Sequence, residues 1–398
     1  MNFITNSILA ACCFLSFSDL LFSFNISGYT VRMAQLFLIL SALMTLKRNQ
    51  LKKIFKLEIL VPAGMLFVQF CMLNFREYPQ KTLVKLIWIT FNLGSCILIT
   101  SSIESLKLKK IFINSVLSAI FFNAIIIIID WYTIYQISGN PLIGYAQESY
   151  NFFKRPNSFY YEPSYVAAIL SLGAFLPLSL IKKTNLSAFL TSLVLTSLFM
   201  TSSRMGYVQF AVACFFCFLF SKEKYLFLKK ITLTVVFLFI SIGLISLSES
   251  GKKFIEFQTG QLGVQETINR IKTDQEKSFT GELHSESNRI ENTKNGLKIW
   301  LQAPILGNGF VMPKNLYKPL EPLTMNTWVE ALSEFGLTGF IMLYSFLAFF
   351  YRRSKTNFAK SLIISHAIIN LNFTQTMPRL DYWIFISAIS LISSEFDL

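Results

Sequence analysis

Hydrophobic stretches recur along almost the whole chain and are separated by short polar connections. Most of them approach the roughly 20 apolar residues that a helix needs to cross about 30 Å of hydrocarbon. The pattern predicts an all-α polytopic membrane protein with about twelve transmembrane helices. The predicted spans cover 3–24, 31–46, 57–74, 83–101, 111–135, 159–181, 186–201, 204–220, 231–248, 327–350, 361–376 and 383–397.

Composition and charge support a membrane protein. Hydrophobic residues make up 53% of the chain and charged residues 15%, so one water-soluble core could not bury this much apolar surface. The net charge of +14 comes from short basic runs between the spans, and these runs fall on one side of the membrane. By the positive-inside rule that side is the cytoplasm. We therefore expect both termini in the cytoplasm, and we attribute the charge to membrane topology rather than to nucleic-acid binding.

Two connections on the opposite, outer side are large enough to carry chemistry: residues 138–158 and 249–325. The second lies between the ninth and tenth spans. Its apolar positions from 288 to 302 share one helical face, which predicts an amphipathic helix in the membrane interface that is ended by Pro304. We expect a single integral membrane domain over 1–398 with one large periplasmic loop.

The sixth to eighth spans have irregular features. The sixth, 159–181, contains Pro163 and Pro177, so we expect it to be broken or partly re-entrant. Arg204 lies at the outer turn between the next two spans, where almost no loop joins them. An ionisable group at membrane depth costs several kcal/mol unless it is paired or hydrated. Arg204 therefore either has a function or extends to the interface.

Three further ionisable residues lie at the outer ends of spans. Arg155 and Glu162 bracket the segment that leads into the sixth span. The arginine could hold a phosphate through two hydrogen bonds, and the carboxylate could act as a general base. The alternative for both is a solvated loop with aromatic residues at the interface. Asp130 either lies at the interface or packs helices through a hydrogen bond.

Several motifs of phosphate and nucleotide chemistry are missing from the sequence. It has no Gly-x-x-x-x-Gly-Lys phosphate loop, no Asp-x-Asp pair for a metal-bound nucleotide sugar and no Gly-x-Ser-x-Gly elbow. His284 and His366 have no companions at ligand spacing, so we expect no zinc site. The patterns argue against ATP hydrolysis and a nucleotide-bound donor, and we expect no cofactor.

Three blocks resemble the O-antigen polymerase and O-antigen ligase superfamily of bacterial inner-membrane glycosyltransferases. Arg-Pro-Asn-Ser-Phe-Tyr-Tyr-Glu-Pro-Ser at 155–164 is similar to the family's Arg-x-x-Gly-x-Phe-x-Glu/Asn-Pro-Ser/Asn stretch. Thr-Ser-Ser-Arg-Met-Gly at 201–206 resembles the Ser-Arg that opens a membrane helix. The third block, 289–339, is similar to the family's arginine, tryptophan and Pro-x-x-Gly-x-Gly loop followed by His-Asn-x-x-Leu-x-x-x-x-Glu-x-Gly-x-x-Gly.

One departure from the family pattern bears on the reaction. Ligases of this superfamily typically carry a histidine at the end of the late loop, thought to activate the acceptor, and this chain has Met325-Asn326 there. The resemblance therefore favours a polymerase. Arg270 with Gly281 fits an Arg-x10-Gly pattern of some polymerases, whereas Arg155 does not.

The resemblance implies transfer of a growing O-antigen or other surface glycan from undecaprenyl diphosphate to a new lipid-linked repeat unit at the outer face. A diphosphate leaving group needs positive charge in the transition state, which arginines supply without a metal. The residues that match the family's blocks, together with Arg270 of the Arg-x10-Gly pattern, then divide into catalytic and substrate-binding groups. The catalytic candidates are Arg204, Arg289 and Glu162, and the substrate-binding candidates are Arg155, Arg270, Asn326 and Glu330.

The partners that the resemblance implies are undecaprenyl-diphosphate-linked oligosaccharides and membrane lipid, with a chain-length regulator and a flippase in the same pathway. Two alternatives stay open. The first is the ligase that moves finished polymer to lipid A core. The second is a lipid-linked oligosaccharide flippase or related transporter, which twelve spans would suit but for which a loop as large as 249–325 has little use.

Overall fold

The computed structural model describes residues 2–17, 23–26, 29–45, 57–103, 105–148, 154–160, 163–262, 285–310, 326–371 and 379–392. Nearly all of this part of the chain is helical. The helices are α1 Asn2–Leu15, α2 Met33–Thr45, α3 Leu57–Cys71, α4 Pro79–Ser102, α5 Leu106–Tyr132, α6 Pro163–Gly173, α7 Phe175–Leu180, α8 Thr184–Met200, α9 Arg204–Phe220, α10 Lys224–Ile245, α11 Glu249–Leu262, α12 Ser285–Gln302, α13 Thr327–Arg353, α14 Asn357–Ser365 and α15 Leu380–Ser390.

Short irregular elements extend the helices. A 3-10 turn follows α3 at Leu73–Phe75, and π-helical segments continue α5 over Thr133–Ser138 and α14 over His366–Asn370. Two antiparallel hairpins complete the described part of the chain. They pair β1 Ser23–Ile26 with β2 Tyr29–Arg32, and β3 Tyr145–Glu148 with β4 Lys154–Ser158.

Among the described residues, five helical stretches are long and apolar enough to cross a membrane, as judged by length and composition. They are Pro79–Ser102, Leu106–Ser138, Pro163–Leu180, Lys224–Ile245 and Thr327–Arg353. Shorter apolar helices accompany them: Ile4–Leu15, Ile59–Cys71, Thr184–Met200, Arg204–Phe220, Asn357–Ile369 and Leu380–Ser390. The fold is therefore that of an all-α, multi-pass membrane protein, as predicted, and the count of about twelve spans stays a prediction.

Among the described residues, the largest difference from a predicted boundary is at the end of the first span. The first helix ends at Leu15, short of the predicted end at 24, and residues 23–26 form a strand. This strand pairs with 29–32, so the second helix begins at Met33. Hydropathy alone could not separate these states, because an apolar strand and an apolar helix end have the same composition.

The sixth predicted span is broken, as its prolines indicated. Helix α6 ends at Gly173 and α7 begins at Phe175. Pro177 has no N–H, and its ring clashes with the carbonyl four residues earlier, which is that of Gly173. Ala174 between the two helices keeps helical φ and ψ of −57° and −23°, so the break is a buried kink within one helical stretch.

The core lies where α5 and α6 pack against α1, α8 and α9, and where α13 packs against α3 and α12. Helix α10 packs along α8, yet only 11% of its most apolar window is buried. Its exposed face carries large apolar side chains, among them Val236, Phe239 and Leu244. Such a face suits contact with lipid, since lipid chains are as apolar as these side chains.

Asp130 orders the connection between α5 and β3. Its carboxylate accepts hydrogen bonds from the backbone N–H groups of Leu142, Ile143 and Gly144, each at 2.9 Å. The side chain is fully buried. Asp130 therefore holds a loop in place through charge-assisted hydrogen bonds.

Candidate functional site

Helix α13 is interrupted at Gly336, whose φ of +65° and ψ of −156° lie outside the helical region. Glycine reaches such a conformation without the clash that a Cβ would cause. The interruption divides α13 into a short segment, 327–335, and a long one, 337–353. Carbonyl groups at such a break lose their helical partners and need new ones.

A loop at 304–309 supplies several of these partners. The backbone N–H groups of Asn308 and Gly309 donate to the carbonyls of Ser333 (3.0 Å) and Glu334 (2.7 Å). In return, two backbone N–H groups just beyond the break donate to the loop. The Leu337 N–H donates to the Pro304 carbonyl (2.9 Å), and the Thr338 N–H donates to the Ile305 carbonyl (3.2 Å). The Pro-x-x-Gly-x-Gly block and the Glu-x-Gly block of the sequence are thus hydrogen-bonded to each other. We call this contact between residues 304–309 and 333–338 the joint.

Two polar side chains from the region of α3 tie the joint to the rest of the bundle. The Gln69 amide nitrogen lies 3.0 Å from the carbonyl oxygens of Leu306 and Phe335, and Arg76 donates to the carbonyls of Leu306 (2.7 Å) and Gly307. Arg76 also donates to Gln69 Oε1 at 2.7 Å. Burial lowers the pKa of the Arg76 guanidinium, but a guanidinium keeps its proton in proteins.

A buried ion cluster involves the two helical turns before the break. Lys85 of α4 forms ion pairs with Glu330 and with Glu334, the latter at 2.6 Å. The three side chains are 10%, 3% and 5% exposed. We name Lys85, Glu330 and Glu334 the lysine–glutamate cluster. Removing one partner from such a buried pair typically costs about 3–5 kcal/mol, because a charge is left uncompensated.

The predicted arginines Arg155 and Arg204 both adjoin the turn between α8 and α9. Arg155 on β4 donates to the carbonyls of Thr201 (2.9 Å) and Ser202 (3.2 Å), directly before the residue that caps α9. Ser202 has a left-handed φ of +54°, and Gln258 of α11 donates to its hydroxyl. Arg204 is the first residue of α9, at the positive end of the helix dipole.

An aromatic cluster surrounds a second buried ion pair. Arg379, which caps α15, pairs with Asp381 and lies over the rings of Tyr165 (4.3 Å), Tyr382 (4.8 Å) and Tyr160 (5.5 Å). Cation–π contacts of this kind gain strength where water is excluded. Tyr160 belongs to the first sequence block, so Arg379 joins that block to the last described helix.

Contacts connect the aromatic cluster to the start of α13 and to β4, which carries Arg155. The Trp328 indole N–H of α13 donates to the Ala367 carbonyl at 3.1 Å, and the neighbouring His366 ring lies 5.3 Å from Tyr382 of the aromatic cluster. On the other side, the Asn157 amide donates to the Tyr160 carbonyl at 2.6 Å, two residues from Arg155. The aromatic cluster is therefore linked through neighbouring residues both to the strand of Arg155 and to the start of α13.

The structure describes only some of the other residues that were predicted from the sequence. Asn326 caps α13, where its side-chain oxygen accepts from the Val329 N–H at 3.0 Å. The backbone of Arg289 belongs to α12, but its side chain lies outside the described part of the structure. Glu162 and Arg270 lie outside the described residues altogether. The roles of all seven predicted residues stay predictions.

Several residues of these sites are not among those predicted from the sequence: Gln69, Arg76, Lys85, Arg379 and Asp381. One signal was available, because Lys85 lies inside the predicted span 83–101 and an ionisable residue within a span favours a buried partner. The partner could not be read from the sequence, since Glu330 is 245 positions away.

The fold and the buried ion pairs define a multi-pass membrane protein with charged groups among its helices. Comparison with protein families gives a more specific answer. Residues 188–344 match the family model Wzy_C, which is described as O-antigen ligase. The family comprises membrane glycosyltransferases of the O-antigen ligase and polymerase type, which act in surface-polysaccharide synthesis. No curated protein matches the chain.

Proposed function

We propose that this protein is a polymerase of O-antigen or another surface polysaccharide. It transfers the growing glycan from undecaprenyl diphosphate to the sugar of a new lipid-linked repeat unit. The bond between the sugar's anomeric carbon and the diphosphate breaks, a bond to the acceptor hydroxyl oxygen forms, and the hydroxyl proton leaves. The reaction takes place at the periplasmic face of the inner membrane, with both termini in the cytoplasm.

The observation that carries the choice of polymerase is Asn326. The resemblance places a histidine of ligases at the end of the late loop, where this chain has Met325-Asn326. The Asn326 side-chain oxygen accepts the Val329 N–H and caps α13. An amide has no basic nitrogen, so Asn326 can orient an acceptor sugar but cannot remove its proton.

The proposed catalytic groups stabilise the leaving diphosphate. Arg204 suits this role because a guanidinium at a helix N-terminus combines its own charge with the helix dipole. Arg289 is its proposed companion, and Glu162 is the proposed base. Arg155 is a proposed substrate clamp, and its bonds to the Thr201 and Ser202 carbonyls also shape the turn that carries Arg204.

Two further substrate contacts are proposed, Arg270 and Glu330. Glu330 pairs with Lys85, so a contact with substrate would use the remaining hydrogen-bonding capacity of its carboxylate. Partners of the reaction are the lipid-linked oligosaccharides, with a chain-length regulator and a flippase acting in the same pathway.

The second candidate is the O-antigen ligase, which the description of the matched family favours. The two reactions share the donor and differ in the acceptor. They are separated by reconstituting the purified protein in liposomes with undecaprenyl-diphosphate-linked repeat units, with and without lipid A core. A polymerase makes a ladder of lengthened lipid-linked glycans from the repeat unit alone. Glycosylated lipid A core without such a ladder would establish the ligase.

Arg204→Ala is the first variant for that assay. We expect it to abolish polymerisation while leaving membrane insertion intact, because the diphosphate loses its counter-charge. Arg352→Ala is the matched control, since Arg352 is an exposed arginine in the last turn of α13. Normal polymer from Arg204→Ala would refute its catalytic role.

A further inference from the structure

Lys85 connects two parts of the chain that are far apart in sequence. It lies in the second turn of α4, outside the family domain at 188–344. Its ammonium pairs with Glu330 and Glu334 of α13, which lie four residues apart and so share one face of the helix. One cation thus fixes two successive turns of the same helical segment.

That segment needs external support. Residues 327–335 form only about two and a half helical turns before the break at Gly336. Isolated helices of this length are not stable, because few hydrogen bonds offset the cost of nucleation. The loop at 304–309 holds the end of the segment at the break, through the Ser333 and Glu334 carbonyls. The two ion pairs to Lys85 fix its rotation about the helix axis.

The other end of the segment is Asn326. Its side chain is bonded to the Val329 N–H, so a rotation of the segment moves Asn326 with it. We propose that Lys85 is a positioning residue of the transfer site, which acts through Glu330 and Glu334 to set the orientation of Asn326. The proposal rests on the proposed function, in which Asn326 orients the acceptor sugar.

A role in geometry explains why charges lie here. Buried ion pairs can often be replaced by apolar residues of similar size without loss of stability, since desolvation offsets much of the attraction. Stability alone therefore gives little reason for three buried charges. Two carboxylates bound to one lysine instead specify a single arrangement of α13 against α4. Errors of about 1 Å in the position of a reacting group can lower a rate by about a hundredfold.

The test separates position from stability through three variants. Lys85→Met leaves two buried carboxylates without their cation, so we expect a lower unfolding temperature as well as slower transfer. In the triple variant Lys85→Met, Glu330→Gln, Glu334→Gln no buried charge is left, so we expect the unfolding temperature to recover. Lys85→Arg keeps the charge but alters the geometry, and we expect wild-type unfolding with transfer between that of the wild type and Lys85→Met.

The decisive measurement is the rate of transfer by the triple variant in liposomes with the lipid-linked repeat unit. We expect kcat to fall by at least about tenfold, because the acceptor is poorly oriented, while KM stays within about threefold of the KM of Glu330→Gln alone, which alters only the residue of the proposed substrate contact. Lys81→Met is the control, since Lys81 is an exposed lysine one turn earlier on α4. It should keep wild-type kcat and KM.

Recovery of kcat together with the unfolding temperature in the triple variant would overturn the proposal and leave Lys85 with a role in stability only. Wild-type kcat in Lys85→Met would overturn it as well. The single variant Glu330→Gln tests separately whether Glu330 contacts the substrate, because loss of such a contact would raise KM. The liposome assay shows separately whether the proposed function fails, because the wild-type protein would then make no ladder. In that case the Lys85 variants would be compared in transfer to lipid A core.

Discussion

The backbone of Gly307 lies directly against the backbone of Gly336. A Cβ added at either glycine would overlap main-chain atoms on the other side of the joint, and both residues have positive φ, +72° and +65°. The contact lets the loop at 304–309 reach the open carbonyls of the broken helix. Gly307 and Gly336 lie in the blocks that resemble the family's motifs, and this close backbone contact explains why both positions need glycine in this chain.

Gly336→Ala should therefore destabilise the protein strongly. Alanine at this φ is strained, and its methyl group would meet the Ile305 carbonyl. We expect less folded protein in membranes and a lower unfolding temperature in detergent. Gly94→Ala is the control, because Gly94 lies within α4 with no atom near a new Cβ. Equal unfolding temperatures for the two variants would contradict the proposed joint.

Arg155→Gln should lower polymerisation by at least about tenfold, because charge-assisted hydrogen bonds to the turn before Arg204 are lost. The measurement is ladder formation by membranes with matched amounts of protein. The neighbouring Lys154 offers the control, since it donates to Asn140 at an exposed position. Lys154→Gln should retain activity within about twofold. A wild-type ladder from Arg155→Gln would show that the turn does not depend on this arginine.

Asp381→Asn should destabilise the protein by about 3–5 kcal/mol, because Arg379 keeps its charge in a buried site after losing its carboxylate partner. Arg379→Met with Asp381→Asn should recover part of this loss, since no charge stays buried. Chemical unfolding in detergent measures both. Similar stability of the single and double variants would mean that the ion pair has no such role. The exposed Lys253–Glu249 pair provides a control whose removal should leave unfolding unchanged.

Metal chelation should leave transfer unaffected. The proposed mechanism places arginines, not a metal, against the leaving diphosphate, and the sequence has no Asp-x-Asp pair. We expect the ladder made after dialysis against EDTA to match the untreated one within about twofold. Loss of the ladder on dialysis, with recovery on adding Mg²⁺, would contradict the assignment of Arg204 and Arg289 as sufficient counter-charges.

Much of the fold could be predicted because the length of an apolar stretch largely determines whether it can span a membrane. The broken sixth span was also predictable, since Pro177 lacks the N–H that a continuous helix needs. The family resemblance identified Arg155 and Arg204 on separate segments, and the structure brings them to one turn. These features depend on local sequence or on motifs.

The joint at Gly336 and the lysine–glutamate cluster could not be predicted in the same way. Apolar residues continue through the break, so hydropathy indicates one uninterrupted span at 327–350. The break is stabilised by a loop and by Gln69, which is 266 positions from its acceptor Phe335. Such contacts depend on how the helices pack, and a single sequence does not specify that packing.

The most direct test of the proposed function is the surface-polysaccharide profile of a strain that lacks this gene, run on a gel beside a complemented strain. If the protein is the polymerase, the deletion strain carries core with a single repeat unit, because flipping and ligation continue, and the complemented strain regains the ladder. Bare core with accumulated lipid-linked polymer would contradict this account and identify the protein as the ligase.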